Sequence, residues 1–310
     1  MNHRHLKPRN GKLLYSLWIQ CVFLVLTVWS VKVEAACLDD HVVQRIVKGY
    51  PVTPIVEPLP IKTLADAYCS QQKIVNTLSH RLDLEFGKGA GDSVGYKVGF
   101  TSLGGQKKFA VQKPAIGVLL KHMLVPNAQS LSAQFGYRPL IEPDLLVVVA
   151  DTNIMNATTL LEVAAGLETI HAFIELPAIQ IAPEQPASGL QLIAINIAAT
   201  KMVLGEGIAV VATPAFIEKV GEATSLFFNA DNELIQQAPL SALMEHPFNS
   251  LLWLIKELRA QGKTLNKGDY VSLGAVGRLF PVANSAQEYR YEILGLSDSP
   301  LRAKVSFTAN

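Results

Sequence analysis

The strongest constraint on the fold is the apolar run from Leu140 to Ala150, LIEPDLLVVVA. An unbroken run of leucine and β-branched residues favours a strand that is buried on both faces. Pro143 lies near the start of the run and cannot donate a backbone hydrogen bond, so we expect it at a strand beginning or at a sheet edge. The chain must therefore cover both faces of this strand with other structure.

The rest of the sequence predicts short strands interspersed with a few helices. Thr63 is a suitable cap for a helix over 64–85, and four prolines at positions 51–60 predict an extended lead-in over 38–60. Two more helices are predicted at 158–172 and 247–261, and further strands at 94–100, 174–181, 190–197, 201–204, 270–273, 289–294 and 302–307. This mixture favours an α+β fold over a doubly wound parallel sheet.

Residues 1–35 have the layout of a signal peptide. A basic segment (1–12) precedes the mostly apolar run 13–31. Within 33–36, the residues are small at the positions that a signal peptidase reads, which predicts cleavage after Ala35. An uncleaved anchor is the alternative, because the apolar run approaches the roughly 20 residues that span a bilayer. Cleavage predicts an exported protein, periplasmic or secreted, and an uncleaved segment predicts an exported protein that is anchored to the membrane.

The remaining chain is predicted to consist of a lead-in and helical segment over 36–92 and a main domain over 93–310. Cys37 and Cys69 both lie in the first part. In an oxidising compartment they are a candidate disulfide that ties the N-terminus to the first long helix, with two buried thiols as the alternative.

Composition excludes several classes of protein. Hydrophobic residues make up 49% and charged residues 17% of the chain, and its formal net charge is +1. A disordered chain is therefore excluded, and the charge balance gives no reason to expect binding to nucleic acid or to an anionic membrane surface.

The most informative chemical feature is the pair Glu142 and Asp144, two residues apart on the predicted strand. Side chains at this spacing point to the same face, so two carboxylates would lie side by side. A hard divalent cation such as Mg²⁺ or Mn²⁺ is one counter-charge for them, and two solvated acids at a strand end are the alternative.

Three more charged or titratable residues stand in apolar surroundings. Glu175 is an isolated acid that needs a partner or a metal if it is buried. Lys97 is a lone cation that could bind a substrate carboxylate or extend to solvent. His246 precedes Pro247 at a predicted helix start and would be near neutral.

A series of motifs in order resembles the 2-keto-4-pentenoate hydratase and 4-oxalocrotonate decarboxylase family, within the fumarylacetoacetate hydrolase C-terminal-like superfamily. The resemblance covers roughly 62–307. The matching positions are Ala67-Tyr68 with Gln71, Lys97 to Ser102, Gly117-Val118-Leu119, Ile141 to Asp144, Glu168 with Glu175, Asn196, Gly205, His246-Pro247 with Asn249, Trp253-Leu254 and Lys267-Gly268-Asp269.

The resemblance implies a fumarylacetoacetase-like mixed β-sandwich or roll with flanking helices, and a homo-oligomer. It implies Glu142, Asp144 and Glu175 as ligands of Mg²⁺ or Mn²⁺. The ion would stabilise the enolate of a small 2-keto or 2-hydroxydienoic acid, as in a hydratase or a decarboxylase. The roles implied for other residues are catalysis for Lys97 and Glu168, and substrate binding for Lys97, Asn196 and His246.

The sequence also departs from the family pattern. Ala115 stands where hydratases have an acid in a P-D-F-G stretch, and Ile195 replaces the acid before Asn196. A proton-transfer acid is therefore missing, which harms hydration more than metal binding. Two alternatives to a lyase follow: a catalytically degenerate exported ligand-binding or interaction protein, and an acylpyruvate-type C–C hydrolase.

Overall fold

The computed structural model describes residues 35–309, so nearly all of the predicted export segment lies outside the described residues. Within 35–309, none of the helices combines the length and the apolar composition that crossing a bilayer requires. The helices of this part are α1 (Asp40–Gly49), α2 (Leu64–Phe86), α3 (Leu103–Lys108), α4 (Leu160–Ala165), α5 (Gly189–Ala194), α6 (Pro214–Glu222) and α7 (Pro247–Ala260).

The strands form two sheets. The strands are β1 (Ser93–Gly99), β2 (Ala115–Leu120), β3 (Leu124–Val125), β4 (Ser130–Ser132), β5 (Leu140–Val149), β6 (Leu167–Leu176), β7 (Lys201–Ala209), β8 (Thr224–Phe228), β9 (Leu234–Pro239), β10 (Tyr270–Ala275), β11 (Phe280–Pro281), β12 (Gln287–Leu294) and β13 (Leu301–Thr308). The large sheet has the order β2-β1-β10-β5-β6-β7-β3, with β11 also paired to β5, and the small sheet has the order β4-β13-β12-β8-β9. The predicted α+β class is confirmed.

Alternation along β5 sends its side chains to two different cores. Leu145 and Val147 pack with residues of the small sheet such as Tyr291, whereas Leu146 faces the other side and packs in a cluster with Leu78 of α2. Both faces of this strand are buried, as predicted. By the same alternation, Glu142, Asp144 and Glu175 lie on the α2 side of the large sheet.

Pro143 is the exception to the prediction for this run, because it occupies the fourth position of a strand in the middle of the sheet. Its carbonyl accepts from Val276 N at 2.9 Å, on the β10 side. The β10–β5 register shifts between Ser272 and Ala275, next to Pro143 on the same side of the strand.

The N-terminal part packs onto the large sheet through α1 and α2. Thr63 caps α2 as predicted, in a reciprocal arrangement with Asp66. Cys37 is joined to Cys69 of α2 by a disulfide, with 5.2 Å between the two Cα atoms. This bond fixes the first described residues against the long helix.

Four of the predicted elements are wrong. The extended lead-in contains α1, because the prolines begin only after it and buried Val43, Ile46 and Val47 follow helical spacing. The helix predicted over 158–172 ends at Ala165, and β-branched residues continue as β6. The strand predicted over 174–181 is instead the end of β6, which stops before Pro177. The strand predicted over 190–197 is α5, which begins with a capping box of Ser188 and Gln191.

Candidate metal centre and adjoining cleft

Two neighbouring strands bring three carboxylates together. Glu142 and Asp144 point to the same face of β5, and Glu175 of β6 is the register partner of Glu142 across the antiparallel pair. One carboxylate oxygen from each residue lies within 4.8 Å of the others, and all three side chains are buried. The geometry is that of a candidate site for one metal ion.

Lys97 reaches the same cluster from β1. Its Nζ donates to Glu175 in a buried ion pair and lies 3.4 Å from the carbonyl oxygen of Ile197. The side chain crosses β2 at Gly117, where a Cβ would come within 2.7 Å of Lys97 Cγ. Glycine at position 117 is therefore what gives the lysine its path to the carboxylates.

Asp144 is the most completely bonded of the three acids. It accepts hydrogen bonds from the Ser272 hydroxyl at 2.6 Å, from Gly274 N at 3.0 Å and from Leu145 N. Even so, burial, followed by the negative charge of Glu175, raises the pKa of Asp144 to about 7. Gly274 has a φ of +112°, a conformation open to glycine, and so presents its N–H to the carboxylate.

Glu142 has less compensation. Burial and then the charge of Glu175 raise its pKa well above the usual range, and Lys97 only partly opposes this. Three buried carboxylates thus share a single cation. Among the described residues, the cluster therefore has more negative than positive charge, and a divalent cation would balance it.

A cleft of about 130 Å³ opens above the cluster. Lys97, Glu142 and Glu175 line it, and Asp144 lies behind them. The wall is largely apolar and includes Phe100, Phe109, Ile179, Leu192 and Leu279. Lys97 is the only cation in this lining, and Thr101 and Ser102 add hydroxyl groups. The cleft therefore has charged side chains at its bottom and apolar side chains along its wall.

Asn196 does not face the cleft. Its side chain accepts from Val118 N at 2.7 Å and donates to Val118 O at 2.8 Å, so both of its polar ends are held by β2. Asn196, Ile197 and Ala198 all have positive φ, and the turn they form presents the Ile197 carbonyl to Lys97. The structure makes Asn196 a support of the cleft wall rather than a substrate contact.

His246 and Glu168 also lie away from the cluster. His246 caps α7: its Nδ1 accepts from Phe248 N and its Nε2 lies 3.0 Å from the Ile217 carbonyl, an arrangement that fits the neutral ring. Burial lowers its pKa. Glu168 is exposed at the start of β6, on the opposite face from Glu175 and roughly 23 Å along the strand from it. The roles implied for these two residues are not supported by the geometry.

Sequence reasoning missed the groups that hold Asp144 and shape the cleft. Ser272 is a polar residue within the predicted strand over 270–273, and its alternation with buried Val271 and Leu273 was a usable signal. The backbone N–H of Gly274 and the carbonyl of Ile197 carry no such signal, because any residue type has these groups.

Comparison with known proteins agrees with the motifs and the geometry. No family model matches the chain. It is 25% identical over 242 residues to the 2-keto-4-pentenoate hydratase of Paraburkholderia xenovorans, covering 77% of this chain and 84% of the relative. It is also 25% identical over 254 residues to 2-keto-4-pentenoate hydratase 2 of Dechloromonas aromatica, covering 81% and 90%.

The chain is similar in sequence to proteins named 2-keto-4-pentenoate hydratase. Its fold is that of 4-oxalocrotonate decarboxylase from Pseudomonas putida G7, solved with calcium and acetate, with a TM-score of 0.70 at 18% identity over 86% of this chain and 96% of that one. A second structure of that protein, with magnesium and adipate, gives a TM-score of 0.69. The predicted resemblance and the fumarylacetoacetase-like fold are confirmed.

Proposed function

We propose that the protein is a metal-dependent lyase, a hydratase or a decarboxylase, that acts on a small 2-keto or 2-hydroxydienoic acid. The observation that carries the proposal is the convergence of Glu142, Asp144 and Glu175, with Lys97 beside them, at the base of an apolar cleft. The relatives named 2-keto-4-pentenoate hydratase support the same class of reaction.

The donor set fits Mg²⁺ or Mn²⁺. Hard cations prefer oxygen ligands, and all three residues offer carboxylate oxygens. Burial and then the charge of Glu175 raise the pKa values of Glu142 and Asp144, and Lys97 offsets this only in part. When bound, such an ion supplies Lewis-acid stabilisation of negative charge on a chelating 2-keto acid.

Lys97 has the position of a substrate-orienting cation. Its Nζ lines the cleft while it bonds to Glu175, so a substrate carboxylate can approach the same ammonium group. The buried setting strengthens that attraction because water screens it poorly. Lys97 therefore fixes the acidic end of the substrate at the base of the cleft.

The wall of the cleft favours an apolar tail. Phe100, Phe109 and Leu279 exclude water from the reacting atoms, which strengthens the electrostatic interactions at the base. No cation beyond Lys97 lines the described cleft, so a second carboxylate at the far end of a substrate would lose hydration without gaining a partner. This composition fits a monocarboxylic acid better than an oxalocrotonate-type diacid.

The test is a panel of 2-hydroxydienoic and 2-keto-enoic acids, assayed by loss of ultraviolet absorbance with added Mg²⁺. We expect turnover that falls roughly a hundredfold or more in Glu142→Gln, because a ligand is lost. Glu168→Gln removes a similar charge from an exposed position and is the matched control. A protein that binds Mg²⁺ but turns over none of these acids contradicts the lyase proposal.

A catalytically silent ligand-binding protein is the second candidate. The observation that favours it is the apolar character of Ala115 and Ile195, both buried where the hydratases have acids. It predicts that a saturated 2-keto acid binds to the metal-loaded protein although no dienoic acid is consumed. The hydrolase alternative has less support, since no histidine lines the cleft in the described part of the chain.

We also propose that the protein is exported. The signal-like segment 1–35 and the bond between Cys37 and Cys69 both fit an oxidising compartment. Mass spectrometry of the protein from its native cells, under non-reducing conditions, should detect the two cysteines joined and an N-terminus at Ala36. Free thiols together with an intact N-terminus would contradict this proposal.

A further inference from the structure

A second concave region lies between α1, α2 and the start of β7. It is a groove of about 970 Å³, much larger than the cleft. Besides neutral polar residues, its lining contains six basic or imidazole side chains and the acid Glu85. The six are Arg45, Lys48, His80, Arg81, His122 and Lys201. The groove therefore has the opposite charge character to the cleft.

The cations of the groove are unequally neutralised. Arg45 pairs with Glu57 at 2.7 Å, and Arg81 lies 3.7 Å from Glu85. For Lys48 and Lys201, no carboxylate of the described residues lies within ion-pair distance. Two positive charges are thus available to an anion in the groove.

Lys201 is the more informative of the two because it is partly buried. Its Nζ donates to the His122 carbonyl at 3.2 Å and lies 3.1 Å from His122 Nε2, so its partners in the structure are neutral acceptors. Burial lowers the pKa of Lys201, and burial and then Lys201 lower that of His122. A desolvated cation with neutral partners is stabilised by an anion placed beside it.

The groove also has an apolar side. The Phe86 ring stacks on His122 with 4.0 Å between ring centroids, and it remains 53% exposed. Leu84, in the same lining, is 75% exposed. A ligand that suits this lining combines an anionic group with an apolar body.

We propose that the groove is a second ligand site, separate from the carboxylate cluster, that binds a small organic anion. Lys48 and Lys201 would hold its carboxylate or phosphate group, and Phe86 would contact its apolar part. A carboxylate and a phosphate group are both anions that accept charge-assisted hydrogen bonds from lysine.

One short segment connects the groove to the cleft. Ile197 and Ala198 line the cleft, while Thr200 and Lys201 line the groove. Between them, the Ala199 carbonyl accepts from Tyr50 Oη at 2.8 Å, and Tyr50 lines the groove as well. The segment that presents the Ile197 carbonyl to Lys97 therefore lies between the groove and the cleft.

The test is a calorimetric titration of the full chain in metal-free buffer with two probes, phenyl phosphate and 4-phenylbutanoate. We expect millimolar or tighter binding of at least one, and the tighter probe identifies the preferred anionic group. Lys48→Gln and Lys201→Gln should each weaken binding about tenfold, since each removes a charged partner. Lys48 is exposed, so its replacement preserves the fold.

Two control variants locate the site. Lys121→Gln removes an exposed neighbouring charge outside the groove and should leave the affinity unchanged. Glu142→Gln alters the cleft and should also leave it unchanged. Absence of binding at millimolar probe, equal losses in Lys121→Gln and Lys48→Gln, or a change confined to Glu142→Gln would each overturn the proposal.

Discussion

The same strand geometry occurs twice in this protein with different charges. In the large sheet, Glu142 and Asp144 are two residues apart on β5, and Glu175 is the partner of Glu142 on β6. In the small sheet, Arg290 and Glu292 are two residues apart on β12, and Arg302 is the partner of Glu292 on β13. The three positions in the large sheet all hold acids, whereas those in the small sheet hold one glutamate between two arginines.

The consequences for the carboxylates are opposite. Burial by itself would raise the pKa of Glu292, but hydrogen bonds from Arg302 and Arg290 hold it below its usual value. Burial raises the pKa of both Glu142 and Asp144. The two arginines neutralise the charge of Glu292. In contrast, the buried acids of the cleft lower the free energy of unfolding unless a ligand neutralises them. A cluster of this kind is better explained by a ligand than by stability.

The largest expected effect separates metal affinity from stability at the cluster. Glu142→Gln should weaken Mg²⁺ or Mn²⁺ binding roughly a hundredfold or more, because it removes a carboxylate ligand. The metal-free variant should unfold at an equal or higher denaturant concentration than the wild type, since a buried charge is gone. Calorimetry and urea unfolding measure the two quantities, and a metal-free variant that is clearly less stable would contradict the comparison.

The pH dependence of the metal-free protein should follow the raised pKa of Asp144. Its pKa is about 7 in the folded protein against 3.8 for the free side chain, so the folded state binds more protons in between. The free energy of unfolding should therefore fall by about 3 kcal/mol as pH rises from about 4 to about 7.

Glu292 has a lowered pKa and contributes in the opposite direction, with stability that is lost as pH falls through its folded pKa. Asp40, Asp66 and Glu162 also have lowered pKa values and contribute in the same direction as Glu292. The difference in pH dependence between the wild type and Asp144→Asn, measured by urea unfolding, therefore isolates the contribution of Asp144. Equal pH dependence in the two proteins would contradict the assignment.

A smaller effect is expected from the hydroxyl that supports Asp144. Ser272→Ala removes a 2.6 Å hydrogen bond to the carboxylate and should raise the pKa of Asp144 further. Metal affinity near neutral pH should fall about tenfold, equivalent to roughly 1.4 kcal/mol. The loss should shrink at higher pH, where Asp144 is ionised in both proteins. A loss that is independent of pH would indicate a packing effect instead.

The smallest effect concerns the Glu292 network. Glu292→Gln leaves both arginines without a carboxylate, but these side chains are partly exposed, so unfolding should become easier by at most about 1 kcal/mol. Added salt should reduce the difference between variant and wild type. If Glu292→Gln instead stabilised the protein, the predicted difference from the metal-free Glu142→Gln variant would be absent.

The sequence predicted some of this site and not the rest for identifiable reasons. A period of two places Glu142 and Asp144 on one face whatever the remaining fold. Glu175 joins them only through the β5–β6 register, and the helix wrongly predicted over 158–172 concealed most of β6. Asn196 and His246 match family motifs, yet their contacts are to Val118, Phe248 and Ile217, so they support the local backbone.

The most direct test of the central claim is the position of Mn²⁺ in crystals of the metal-loaded protein, located by its anomalous scattering. The account predicts one strong peak between the carboxylates of Glu142, Asp144 and Glu175, and no peak there in Glu142→Gln crystals. Well-ordered carboxylates with no peak among them, or Mn²⁺ bound only elsewhere on the protein, would contradict it.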